Sequence, residues 1–328
     1  MKPSTKRKDR RHWVWVWTAL AVMAICPLFI KNNYYLDGFI LIFMWGAFAG
    51  AWNILSGYAG MTSLGHNAFF GIGAYTSTLL FLHYGLTPWL GMFAGGFLSM
   101  TVGLLVGVVC FRLRSHYFAL ATLAFGEVCS ILALSWRSLT GGAEGLALPI
   151  EPSFYNFAFD SKLPYVYIGL ALCAGVTGVC YYIENSKLGY YLTAFKENEA
   201  AARALGVNTG RVRLTAMALS SFFSAISGTF YAQYVVYIDP SSVIRLPLSV
   251  QVALFAIVGG VGTVFGPIIG AAIFIPITIV LRGWLGTSVT GLYMIIYGVI
   301  LIIIMLYMPD GIYGKIKNRL TAAGPANS

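Results

Sequence analysis

The chain has 328 residues, of which 58% are hydrophobic and 10% are Asp, Glu, Lys or Arg, against roughly 25% charged residues in ordinary soluble domains. That is too little charge to coat a soluble surface, which excludes a soluble enzyme, a disordered chain and a fibrous protein, and leaves the membrane span of about 20 apolar residues as the natural unit. A formal net charge of +10 would suit nucleic acid, but no basic patch is interleaved with aromatic residues on a polar face; no nucleic-acid partner is expected, and the excess is read as the positive-inside bias of membrane proteins.

Residues 1–12 form a basic tail with Lys2, Lys6, Arg7, Lys8, Arg10 and Arg11 against Asp9. The apolar run 13–30 that follows is longer than a signal-peptide core and lacks a small-x-small cleavage site, so it is read as a retained first helix. Asp37 and Arg112 then enclose 74 residues without Asp, Glu, Lys or Arg. That length holds three spans, placed at 39–55, 62–82 and 89–111. Arg112 and Arg114 make a short basic loop, and a fifth span runs over 116–136. A polar loop at 138–162 contains Thr140, Gly141 and Gly142, candidates for an outer gate or docking surface, beside the reading of an ordinary turn. A sixth span covers 164–183. The polar stretch 184–213 carries five Lys/Arg and three Glu. Spans follow at 214–237 and 248–282, the latter long enough for two short helices broken at Gly259-Gly260-Val261-Gly262, with Pro267 and Pro276 as kink sites. The last span is 291–308, and a basic tail at 309–328 ends the chain.

The expected fold is an all-α polytopic membrane protein: a transmembrane domain at 13–308 with about ten transmembrane helices and both termini cytoplasmic. Ten spans place sixteen of the 21 Lys/Arg on one side, as the positive-inside rule asks. The alternative is eight full spans, with the Gly-rich stretches 57–82 and 259–282 re-entering rather than crossing. Segments 60–75 and 262–274 are faintly alike, either as an internal repeat or as two small-residue packing helices. The five cysteines form no CxxC and lie in or at the ends of apolar runs, so they read as small buried hydrophobes and no metal site is expected.

No phosphate loop, nucleophile elbow or metalloprotease motif is present. The chain is therefore not read as an enzyme. Glu127 sits inside the fifth span, where a carboxylate is costly unless paired or hydrated. It lines a pathway, or it pairs with Arg112, Arg114 or a neighbouring helix. Ser63, His66 and Tyr75 lie in a Gly-rich segment suited to close helix packing beside a pathway; His66 alone reads as a satisfied interior histidine. The stretch Glu197-Asn198-Glu199-Ala200-Ala201-Ala202-Arg203-Ala204-Leu205-Gly206 favours a short helix at about 197–205, stopped by Gly206. A helix of two or three turns is marginal alone and needs a partner surface; the other reading is a solvated connector helix.

That stretch resembles the Glu-Ala-Ala…Gly coupling loop of ABC-importer permeases. ALGVNTGRVRLTAMALSSFFSAISGTFYA at 204–232 resembles the Liv-type branched-chain amino acid permeases, M-subunit branch. So do GYAGMTSLGHNAFFGIGAY at 57–75, RLRSHYFALATLAFGEV at 112–128, SLTGGAEGL at 138–146, GGVGTVFGPIIGA at 259–271 and MPDGIYG at 308–314. In the general motif Gly follows Glu by six positions; here Glu199 and Gly206 are seven apart. The resemblance implies an inner-membrane importer subunit for branched-chain amino acids. It would pair with a second homologous permease, two cytoplasmic ATPases and an extracytoplasmic binding protein. Glu197, Glu199, Ala200, Ala201, Arg203 and Gly206 would face an ATPase, and no cofactor would sit on this chain because ATP and Mg belong to the ATPases. Urea and short-amide importers have related permeases. An ATP-independent carrier is the other class of reading; it has no need of a docking helix.

Overall fold

The computed structural model describes Pro27 and residues 32–113, 115–149, 151–285, 298–299 and 311–314. Apart from Pro27 and residues 298–299 and 311–314, the expected helix at 13–30, the span at 291–308 and both tails lie outside the described residues, as does Arg114. Helix α1 (Asn33–Asn53) starts where the Asn32 side chain accepts the Tyr34 N–H, and its last turn widens into a π-helical turn at Ile54–Tyr58. After an irregular stretch come α2 (His66–Tyr84), closed by Gly85 at φ +62°, and α3 (Pro88–Cys110). Next are α4 (Ser115–Ser135), the single turn α5 (Arg137–Thr140) and β1 (Leu146–Ala147). Helix α6 (Leu163–Glu184) leads into α7 (Lys187–Glu197), α8 (Glu199–Ala204) and the long α9 (Thr209–Val235). Strand β2 (Tyr237–Ile238), the turn α10 (Pro240–Val243), α11 (Leu246–Gly260) and α12 (Gly266–Leu285) complete the order. Proline opens α3, α6, α10 and α11, where its missing N–H costs no helical bond.

Among the described residues, five helices are long and apolar enough to cross a membrane: Asn33–Tyr58, Pro88–Cys110, His116–Ser135, Leu163–Glu184 and Pro240–Gly260. Helices α2 and α9 are less apolar because they carry buried polar groups, among them His66, Asn67, Ser220, Ser224 and Thr229. The usual soluble arrangement is inverted. On α3, Gly91, Gly95, Ser99, Gly103 and Gly107 face inward at every fourth position, whereas Leu90, Phe93, Phe97, Leu105 and Val109 are exposed. Lipid is as apolar as leucine, so burying leucine gains nothing there; close approach of small residues is what drives packing.

One close approach lies between α2 and α9. A Cβ on Gly228 would overlap the Phe70 carbonyl oxygen, and one on Gly73 would overlap the Ala225 carbonyl. Thr229 Oγ1 donates to the Gly73 carbonyl at 3.0 Å, and Ser99 Oγ of α3 donates to the Ser221 carbonyl at 3.0 Å. Helices α11 and α12 make a second close pair, through Gly259 against Gly266 and Gly270 against Phe255. Helix α1 runs through the middle, with Phe43, Phe48 and Trp52 fully buried and Phe48 stacked on Phe70 at 4.7 Å between ring centroids.

The expected segments overlap these elements, with two differences. Helix α1 begins at Asn33 rather than 39, so Asp37 lies inside it. There Asp37 pairs with Lys162 Nζ at 2.6 Å and accepts the Tyr234 hydroxyl, tying the starts of α1 and α6 to the end of α9. The stretch 184–213 is mostly helical, with α7 and α8 joined at Asn198. The break within 248–282 falls where expected, since Gly260 and Gly262 have φ of +131° and +74°. Residues 66–84 form a full-length helix, and both faintly similar segments consist of an irregular lead followed by a helix start, at His66 and at Gly266.

These contacts lead to a paired prediction. Gly228→Ala should destabilise the detergent-solubilised protein by about 1–3 kcal/mol or more through overpacking. Gly175→Ala, whose Cβ would meet nothing within 4 Å, should leave the melting temperature unchanged or slightly raised. Thermal unfolding followed by size-exclusion fluorescence separates the two.

Candidate functional site

At the end of the bundle that carries α7 and α8, a short helix is held by caps at both ends. Asn198 is extended (φ −157°, ψ 105°), and its side chain accepts the Ala201 N–H, so α7 stops and α8 starts afresh. At the other end Gly206 has φ +83°. Its N–H bonds the Arg203 carbonyl at 2.9 Å, and the Val207 N–H bonds the Ala202 carbonyl at 3.1 Å. This is the Schellman closure, which needs a residue at ease in the left-handed region. Asn208 then caps α9 by accepting the Arg211 N–H at 3.0 Å.

The helix therefore runs from Glu199 to Ala204, shorter than the expected 197–205. Glu197 ends α7 instead, lining a cleft of about 500 Å³ with Tyr58, Glu184 and Thr193. Ala202 is buried, and Ala200, Ala201, Arg203, Ala204, Leu205 and Gly206 are exposed, Leu205 at 84%. An apolar, alanine-rich face thus points away from the bundle. The Glu199 carboxylate turns the other way. It pairs with Arg203 at 2.6 Å and with Arg213 at 3.4 Å, and Thr209 Oγ1 donates to it at 3.5 Å. Arg213 was not singled out in the sequence, where it reads as one more positive charge beside the membrane.

A second set of polar groups runs through the interior. His66 is fully buried, with Nδ1 2.9 Å from Ser63 Oγ and Nε2 2.7 Å from Ser220 Oγ. Ser220 Oγ donates its own proton to the Ala51 carbonyl at 2.6 Å. The network therefore assigns the Nε2–H tautomer, with Nδ1 accepting from Ser63. Ser63 also receives the Trp52 indole N–H on its carbonyl at 2.8 Å. Asn67 donates to the Ile244 carbonyl and accepts from Ser249, and Asn53 clasps the α11–α12 break through Gly262 N–H and the Thr263 carbonyl. These bonds surround the π turn and the irregular stretch after it, the kind of helix interruption found at functional sites. Lys196 Nζ of α7 reaches the Gly57 carbonyl in that turn at 3.2 Å.

The four expected pathway residues do not form one cluster of contacts. Ser63 and His66 are bonded to each other. Tyr75 is buried farther along α2, and its hydroxyl has no hydrogen-bond partner among the described residues. Glu127 is half-buried on α4, and no ion pair among the described residues includes it. Pairing with Arg112 is ruled out by length. Glu127 lies twelve residues past the start of α4, about 18 Å along the axis.

At the opposite end, Thr140 Oγ1 bonds the Trp136 carbonyl at 2.8 Å and accepts the Gly142 N–H at 3.2 Å. Gly141 and Gly142 have φ of +73° and +59°. They close α5 into a fixed turn, which the antiparallel pairing of β1 with β2 ties to the end of α9. Nearby, a groove of about 830 Å³ opens between α1, α11 and α12, lined by Arg245, Ser241, Gln251, Trp45, Leu254 and Ile275.

A family model described as branched-chain amino acid transport system / permease component matches residues 34–305. Over 325 residues the chain is 27% identical to the high-affinity branched-chain amino acid transport system permease protein LivM of Escherichia coli K12, covering 92% of this chain and 75% of that protein. It is 25% identical to the high-affinity branched-chain amino acid transport system permease protein LivH of Salmonella typhimurium, over 80% of this chain and 89% of that protein. It is also 25% identical to the autoinducer 2 import system permease protein LsrC of Yersinia pseudotuberculosis, over 84% and 82% of the two chains.

The histidine network predicts the cost of opening it. Ser220→Ala leaves His66 Nε2–H without its acceptor and the Ala51 carbonyl without its donor, so stability should fall by about 1–3 kcal/mol. The melting temperature of the purified variant checks this. A change within error would mean that water replaces both bonds.

Proposed function

As the chain belongs to the branched-chain amino acid transport system permease family, we propose that it is an inner-membrane subunit of an ABC importer for branched-chain amino acids. In this reading partner ATPases drive it through α8. The observation that carries the proposal is the construction of α8 itself: a six-residue helix too short to stand alone, capped at both ends, anchored inward by Glu199 and presenting alanines and Leu205 outward. Such a surface suits insertion into a groove on a cytoplasmic partner. Ala200, Ala201, Arg203 and Gly206 would meet the ATPase, while Glu199 serves the fold on its inner side. Glu197, at the end of α7, would flank the contact.

The same reading places the α7–α8 end in the cytoplasm, supported by the five Lys/Arg in 184–213. The β1–β2 end then faces the binding protein, with Thr140, Gly141 and Gly142 as a rigid part of that face. Apolar runs at 13–30 and 291–308 bring the span count to ten with both termini cytoplasmic. A second homologous permease completes the assembly, and ATP with its Mg stays on the ATPases. A branched-chain amino acid is zwitterionic with an apolar tail, and spans poor in charge suit transient passage with selectivity left to the binding protein.

Proline at 206 tests the coupling. It cannot adopt φ +83° and removes the N–H that bonds Arg203, so Gly206→Pro should still insert and co-purify with the other permease. ATP-dependent leucine uptake in membrane vesicles should fall by about tenfold or more. Normal uptake by this variant, or undiminished uptake in wild-type vesicles depleted of ATP, would sink the reading. For Glu127, a carboxylate in the path predicts slower uptake for Glu127→Gln at unchanged expression; unchanged kinetics would leave it a packing role.

A further inference from the structure

The Arg213 side chain is 8% exposed, and it is held from every side. Its guanidinium carbon lies 5.2 Å from the Phe111 ring centroid and 5.0 Å from that of Phe195. Nη1 donates to the Phe111 carbonyl at 3.1 Å, and Nε donates to the Thr209 carbonyl at 3.3 Å. Nη2 faces Glu199 Oε1 at 3.4 Å. These partners come from four places: the end of α3, α7, α8 and the first turn of α9. A planar cation with a fork of donors can stack on two rings and bond in its own plane at once, which an ammonium cannot do.

Arg213 is also the point where the short helix meets the longest one. Helix α8 touches the rest of the bundle through few side chains: buried Ala202, Arg203, whose Nε donates to Thr209 Oγ1 at 3.0 Å, and the Glu199 carboxylate, which alone of these reaches Arg213. Helix α9 rises from Arg213 into the close crossing with α2. A displacement of α8 pulls Glu199, Glu199 pulls the guanidinium, and the guanidinium is fixed to α9 and to the end of α3.

We infer that Arg213 is the positioning residue that carries motion of the docking helix into the spans, with Glu199 as its handle and the Phe111–Phe195 pair as its seat. This rests on the importer reading above. It assigns the Glu199 carboxylate to a contact inside the chain rather than to one across the ATPase interface.

The test uses the whole complex, permeases and ATPases together, in proteoliposomes with its binding protein and radiolabelled leucine. Uptake and ATP hydrolysis are measured on the same preparation. Arg213→Gln should assemble and hydrolyse ATP near the wild-type rate, with leucine moved per ATP falling about tenfold. Arg213→Lys keeps the charge but loses the fork and the stacking, so it should give an intermediate ratio. Glu199→Gln combined with Arg213→Gln should be no worse than Arg213→Gln alone, because both act through one joint. A purely structural role predicts a lower melting temperature with an unchanged ratio of uptake to hydrolysis, and that result overturns the inference. If Arg213→Gln fails to assemble, the ratio for Arg213→Lys decides in the same way. A wild-type complex that shows no ATP-driven uptake defeats the importer reading; a coupled wild type with normally coupled Arg213 variants defeats only this inference.

Discussion

Helix α9 lies directly on the backbone of α2, and most of the interior follows from that contact. With glycine at 73 and 228 there is no room for a side chain between the two main chains. Thr229 then bridges them by donating to the Gly73 carbonyl. Because apolar burial supplies little drive inside lipid, shape and hydrogen bonding must hold the helices together. The serines of α9 therefore point inward, where Ser220, Ser221, Ser224 and Ser227 are all fully buried. Each finds an acceptor, on its own preceding turn or on a neighbouring helix. This explains why α9, central in the packing, is less apolar than its neighbours: its polarity is spent on helix contacts and hidden from lipid.

That crossing turns α9 into a rod held at three heights. Twenty-seven residues give it a length of about 40 Å. Its first turn carries Arg213, clamped to α3, α7 and α8. Its middle is locked to α2 and α3. Its last turn carries Tyr234, which bonds Asp37 beside Lys162, and the chain then enters the β1–β2 ribbon. An element fixed along its length moves as a unit with its neighbours rather than bending at one place. Rigid-body displacement of packed helices is the economical way to carry a change between two ends of a bundle.

The sequence made the spans legible because charge is scarce: each boundary was marked by the few ionisable residues or by glycine. Asp37 was read as such a marker. It lies inside α1 because its partners, Lys162 and Tyr234, are far away in sequence and near only in the fold. The start of α8 was placed two residues early because Glu197 and Glu199 look alike as helix formers. Asn198 decided the matter by capping, a signal present in the sequence but outweighed by the alanine run. Gly206 closes the helix as its place after a helical run implies, since a glycine there has one common geometric reason. Arg213 could not be found by charge pattern alone, because only the arrival of Phe111 and Phe195 from distant segments distinguishes it from Arg211.

The interior histidine bears on how such a bundle could be powered. A proton carrier needs a group that gains and loses its proton while keeping company with water or another carrier. His66 has both nitrogens committed, one accepting from Ser63 and the other donating to Ser220, whose proton is itself committed to Ala51. Protonating Nδ1 would turn the Ser63 contact from acceptance to donation and strand the serine proton in a buried site. The network serves to register α1, α2 and α9 against one another. His66 thus belongs to the same packing that fixes the crossing of α2 with α9 and α3, alongside Thr229 and Ser99.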